Sequence, residues 1–180
     1  MKNRDLWHRY FLWAILICLI GFPSAVRSQS IESGWKGIKS LQTTKTEVEK
    51  ILGNPEVDEN GYHNYRAEEA FVQVNYSTEP CSQNRYNRGR YNLPSDTVLE
   101  YVVHLKNPLK LADLQFEKEK YYRDTSGDAN SIYYQNQKAG VAIGTQPLDE
   151  TDTEYVTVFR FNVPEAIDEK VKCRSIGTNR

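Results

Sequence analysis

The sequence predicts an α+β fold, with short helices packed on an antiparallel sheet in two tandem helix-plus-three-strand units. Three observations lead there. One eight-residue stretch is punctuated at both ends as a helix. Several segments alternate apolar and polar residues with the period of a half-buried strand. The order of elements then recurs in the second half of the 180-residue chain. The recurrence is one of order and not of residue identity. It divides the chain into a leader at residues 1–28, a first unit at 29–107 and a second at 108–180.

The leader comes first. Lys2, Arg4 and Arg9 precede an apolar run from Tyr10 to Phe22, and Pro23, Ser24 and Ala25 follow. A positive start, a short apolar stretch and a small-residue exit make a signal peptide. Cleavage is expected after Ser28 or, as second choice, after Ala25. The apolar run is shorter than the ~20 residues a membrane-crossing helix needs, so an uncleaved anchor is the lesser alternative. Cys18 lies inside the run with no small residue before it, which argues against lipidation. Removing the leader takes four of the 23 basic residues (Lys2, Arg4, Arg9, Arg27) and one of the 24 acids (Asp5), leaving 19 and 23. A mildly acidic exported chain is a poor match for nucleic acid. Two cysteines remain, Cys81 and Cys173, and an even pair in an exported protein invites a disulfide. Two free thiols are the alternative.

Thr44-Lys45-Thr46-Glu47 has the capping-box pattern, in which a threonine hydroxyl accepts from a helical amide and the glutamate reaches back. Val48, Ile51 and Leu52 then form an apolar stripe. Gly53 stops the helix and Pro55 forbids its continuation. Residues 45–52 are too few to be helical alone in water, so the stripe must dock on a sheet. "GYHNYRAEEAFVQVNYS" reads as two strands around a turn near Ala67 to Glu69, with Val72, Val74 and Tyr76 facing inward. "TVLEYVVHLK", residues 97–106, places Leu99, Tyr101, Val103 and Leu105 on one face. Between these strands, "CSQNRYNRGRYNLPSD" is too polar for a core and reads as a loop. In the second unit, residues 110–122 hold a short helix or helical turn. Residues 131–144 form a hairpin turning near Gln137 and Lys138, and 154–163 a last strand with Val156, Val158 and Phe161 among its apolar residues.

The stretch "GWKGIKSLQTTKTEVEKILGNPE" resembles the opening of the small outer-membrane assembly lipoproteins of the BamE (SmpA/OmlA) type, over about residues 38–76. That resemblance implies a Thr-capped helix leading into a three-stranded sheet. The chain departs from the family in lacking a lipidated cysteine and in continuing through a second unit. The doubled arrangement is similar to the β-lactamase inhibitor proteins, whose two units form a concave sheet. Gly34-Trp35-Lys36-Gly37-Ile38, Cys81, "NLPSDTVLEYVV" and "LKLADLQF" also look like a group of uncharacterised secreted bacterial proteins, which brings no activity with it.

Catalytic signatures are thin. After the leader only His63 and His104 remain, and no zinc-protease, nucleotide-loop or nucleophile-elbow motif is present. Glu68-Glu69 reads as a solvated turn, and the four carboxylates of "DETDTE" lack the glycine and distal glutamate of a calcium loop. No metal and no cofactor are expected. The candidate binding residues are Arg85, Tyr86, Arg88, Arg90 and Tyr91 of the polar loop, together with Trp35. Arginine and aromatic residues offer large contact area with polar handles. A sheet face lined by tyrosines is the other surface suited to binding. The expected function is that of a non-enzymatic, exported binding or cell-envelope assembly module acting through protein contacts, periplasmic or secreted. Membrane contact would come only through the leader or a weak surface touch. An inhibitor of a secreted enzyme, or an enzyme of unrecognised type, is the alternative.

Overall fold

The structure is a computed structural model and describes residues 30–57, 62–81, 91–125, 131–147, 153–165 and 171–173. The leader expected at residues 1–28 lies outside them. The first element is the capped helix, α1 (Lys45–Leu52). Its capping box is present: the Glu47 amide donates to Thr44 Oγ1 at 3.4 Å and the Thr44 amide to Glu47 Oε2 at 2.8 Å. The Thr44 backbone and then its hydroxyl hold the Glu47 carboxyl below its ordinary range. Gly53, at φ 85°, closes the helix by donating to the Glu49 carbonyl. The stripe needs one correction. Val48 is fully buried, but Ile51 is 43% exposed. Ile51 and Leu52 flank Val48 on opposite sides, and only Leu52 packs on the core.

Among the described residues eight strands follow: β1 (Glu56–Val57), β2 (His63–Arg66), β3 (Ala70–Tyr76), β4 (Val98–Lys110), β5 (Tyr122–Asp124), β6 (Ile132–Asn136), β7 (Val141–Pro147) and β8 (Glu154–Phe161). They form one antiparallel sheet in the order β1-β2-β3-β4-β8-β7-β6-β5. Two meanders, β1 to β4 and β5 to β8, therefore meet where the last strand of each pairs with the other. The outer strands β1 and β5 are two and three residues long, which leaves little edge for aggregation.

This architecture corrects the α+β expectation. Among the described residues α1 is the one α-helix, and the other helical pieces are 3-10 turns at Ile31–Ser33, Trp35–Gly37, Leu111–Asp113 and Lys118–Lys120. The fold is nearly all-β. The physical reason lies in residues 110–122. Neither 3-10 turn there has a side-chain cap, and Leu111, Leu114 and Phe116 sit at mixed spacing. With no nucleus and no helical stripe, the segment forms only those two short turns joined by irregular chain and presses the three side chains against the core.

The core lies on one face of the sheet. A β-bulge refines the expected register of β4. Asn75 pairs with Glu100 and Tyr76 with Val98, so Leu99 is the extra residue. Val98 thereby joins Tyr101 and Val103 on the core face, while Leu99 is buried outside the main cluster. Tyr101 ties the amino-terminal turns to the sheet. Its ring stacks on Phe161 at 4.4 Å, its hydroxyl donates to the Ile38 carbonyl at 2.6 Å, and it accepts the Trp35 amide at 3.0 Å. Gly34 permits this approach: at φ 90°, any Cβ there would lie 2.0 Å from the Ile38 oxygen.

Candidate functional site

Four residues of the expected Arg/Tyr loop, Arg85, Tyr86, Arg88 and Arg90, lie outside the described residues. The stem of that loop is described. The Cys81 amide donates to the Tyr91 carbonyl at 2.9 Å, Tyr91 bridges Lys172, and the Asn92 amide donates to the Val171 carbonyl at 2.6 Å. Cys81 is disulfide-bonded to Cys173, with Cα atoms 5.6 Å apart and a sequence separation of 92. The neck is thus closed by backbone hydrogen bonds and covalently tied to the carboxy-terminal segment. Such a bond belongs to an oxidising compartment. Trp35 is half-buried and packs against the core cluster, with Lys36 Nζ 5.1 Å from its ring centre.

The strand tyrosines divide between the faces by parity. Tyr65, Tyr76, Tyr101 and Tyr134 turn into the core. Tyr65 and Tyr76 share a hydroxyl–hydroxyl bond of 2.8 Å, and Tyr134 donates to Glu154 at 2.7 Å. Burial pushes the phenols of Tyr76 and Tyr101 above their ordinary values, so they remain neutral structural groups. Tyr133 points the other way, onto the face opposite the core.

Sequence reasoning missed most of that second face. Pairing fixes its layout: Phe71 opposite His104, His104 opposite Val158, Gly144 opposite Val158 and Tyr133 opposite Gly144. Gln73, Val102 and Arg160 form the neighbouring row. Arg160 and His104 are exposed, while Phe71, Gln73, Val102 and Tyr133 are half-buried. The Arg160 guanidinium lies 5.3 Å from the Tyr133 ring centre, within cation–π range. Gly144 leaves room for that ring, since a Cβ there would meet Tyr133 Cε1 at 2.9 Å and Val158 Cγ1 at 2.4 Å. Phe71 and His104 rings lie 6.2 Å apart. Partial desolvation, and then the nearby Arg160, keep the His104 imidazole below its ordinary pKa, so at neutral pH it is an uncharged neighbour of a cation. Alternation in β8 could have exposed Arg160, which sits between Phe159 and Phe161. Its companions on other strands depend on register, which no single strand displays.

The remaining chemical candidates disperse. His63 packs edge-on against Tyr76 at 4.9 Å on the core side, so the two histidines lie on opposite faces. Glu69 is ion-paired with Lys36 at 2.6 Å, and that hydrogen bond holds its carboxyl below the usual range. Asp149, Glu150 and Asp152 of the acidic run lie outside the described residues. Among the described residues, no group of three or more His, Cys, Asp or Glu is placed to hold a metal ion. No helix among them is long and apolar enough to cross a membrane. A scan of protein-family models, a search of curated proteins and a search of solved structures each find no match to this chain.

Proposed function

We propose that the protein is an exported binding or envelope-assembly module that grips a protein partner with the open face of its sheet and performs no bond chemistry. The observation that carries this reading is one-sidedness. The core cluster occupies one face, and the other displays Phe71, His104, Val102, Arg160 and Tyr133 across β3, β4, β8 and β6, each exposed or half-buried. Arginine and aromatic groups on a rigid sheet are the side chains that dominate protein interfaces. No carboxylate among the described residues pairs with Arg160, which leaves it open to one on a partner. The Cys81–Cys173 bond and the leader-like residues 1–28 support export, and the BamE-type resemblance of the opening supports an envelope setting.

The test is affinity capture from envelope extract with the mature protein and with a Phe71→Ser/Tyr133→Ala/Arg160→Glu variant. The variant is expected to lose the partner that the parent captures while keeping its thermal transition. Capture that persists overturns the open-face reading. A second variant, Arg85→Ser/Arg88→Ser/Arg90→Ser, reports separately on the loop.

A further inference from the structure

We infer that the groove at the outer end of the second meander is a binding site for a neutral oligosaccharide. This goes beyond the sheet-face reading and uses different residues. The groove encloses about 750 Å³ and runs beside β5 and the β6–β7 turn; Tyr122, Gln135, Asn136, Gln137 and Glu165 are among its lining residues. A second cavity of about 340 Å³ shares Gln135, Asn136, Gln137 and Glu165 with it and continues to Asn162. Two hollows of this size with four lining residues in common suit a chain of rings better than a single small solute.

The lining is built before any ligand arrives. Tyr122 is 46% exposed although it belongs to a strand. Its hydroxyl donates to Gln135 Oε1 at 2.9 Å and accepts from Gln137 Nε2 at 3.2 Å, while Gln135 Nε2 donates to Asp124 Oδ2 at 2.8 Å. This relay holds the phenol ring upright at the groove wall. Asn136 is buried and accepts the Ala139 amide at 3.2 Å, which fixes the turn that presents its two glutamine neighbours. Glu165 is held by its own backbone, whose amide donates to the Gln137 carbonyl at 3.1 Å. A site already ordered loses little side-chain freedom on binding.

Charge decides the class of ligand. Two of the ionic groups at the rim have partners of their own: Lys120 pairs with Glu117 at 2.5 Å, and Glu32 accepts from the hydroxyls of Ser30 and Tyr121. The lining sets Glu32, Glu119 and Glu165 against Lys120 and Lys138, so the groove offers no strong field of one sign to an anion or a cation. The uncharged groups that face a ligand are amides and a ring. Amides donate and accept at once, as sugar hydroxyls do. A pyranose also has an apolar C–H face that an exposed ring can cover, and it carries no charge whose desolvation would cost energy.

The test is a titration of the mature, disulfide-bonded protein with N-acetylglucosamine trimer and with maltotriose, followed by amide ¹H–¹⁵N spectra. Saturable shifts are expected at Tyr122, Gln135 and Gln137 with at least one of the two sugars. Tyr122→Ala and Gln137→Ala should each raise Kd about tenfold, and Arg160→Glu should leave it unchanged. The first two positions are exposed, and an unaltered spectrum elsewhere checks the fold of each variant. No saturable shift with either sugar, shifts centred on Arg160 and Tyr133, or unchanged Kd in both groove variants would overturn the inference. Failure of partner capture by the sheet face leaves this outcome untouched, so the two readings fall separately.

Discussion

Two rows of side chains cross the same strands one residue apart. On the core side, Tyr65, Val72, Val103, Phe159, Ile143 and Tyr134 pair in sequence from β2 to β6, and all are buried. On the open side, Arg66, Phe71, His104, Val158, Gly144 and Tyr133 pair along the same path; Arg66 and His104 are exposed, Phe71 and Tyr133 half-buried, and only Val158 and Gly144 buried. The backbone ladder is common to both rows, so it cannot distinguish them. Burial does: each large apolar side chain removed from water contributes about 1.5–3 kcal/mol. The first row holds the fold, and the second is free to carry chemistry that stability does not require. A slip of one residue would exchange them.

The largest test of this contrast is Tyr101→Ala, which empties the stack on Phe161 and frees the Ile38 carbonyl and Trp35 amide. Denaturant unfolding should show a loss of about 3–5 kcal/mol. Tyr101→Phe should cost less, since the stack survives. A value for Tyr101→Ala as small as that of an open-face change would break the comparison.

Next comes the covalent tie, which belongs to neither row. Cys81→Ser/Cys173→Ser should destabilise by about 2–5 kcal/mol through the lost constraint on the unfolded chain. Intact mass of the chain freed of residues 1–28, and so of Cys18, should after alkylation show no label without reductant and two labels with it. Labelling of both thiols in the untreated protein removes the bond from the account.

The open row is not indifferent everywhere. Gly144→Ala would force Val158 or the Tyr133 ring to move, and overpacking of this kind costs about 1–3 kcal/mol. A neutral result would mean that Tyr133 is loosely held and the platform less ordered than the core row implies.

The smallest effect is the proton on His104. Its folded pKa lies below the ordinary value because of desolvation and Arg160. As pH falls, the unfolded chain therefore takes up the proton first, and stability declines below about pH 6.5. Above that value the contribution is fully present. His104→Gln should narrow the Tm difference between about pH 7.5 and 5.5, with little change at neutral pH. An unchanged difference would place the acid sensitivity elsewhere.

Legibility varied with the range of the interaction. Helix α1 was readable to the residue because its capping box and Gly53 act within four positions. Strands β2, β3, β4, β6, β7 and β8 were readable from alternation, and the Cys81–Cys173 pairing followed from the two cysteines left after a leader-like segment. The two-residue β1 and three-residue β5 carry too few residues for a pattern. The bulges at Leu99 and at Thr157 were hidden because each is a mismatch between two strands. Ile51 read as core because a stripe has two flanks, and docking chose the Leu52 side. The α+β expectation failed where residues 110–122 had helical composition without a cap or a stripe. Of the candidate site, Trp35 and Tyr91 could be placed, whereas the Arg160–Tyr133–His104 grouping and the Tyr122–Gln135–Gln137 relay required neighbours from separate strands.

By itself, then, the sequence determined the local elements, since caps, alternation and turn residues act through bonds and contacts a few positions apart. Only the tertiary structure decided that the two meanders join through β4 and β8, which residues slip at the bulges, and which side of the sheet remains open. Those are outcomes of pairing between segments distant in the chain, and their energies reside in contacts that neither segment makes alone.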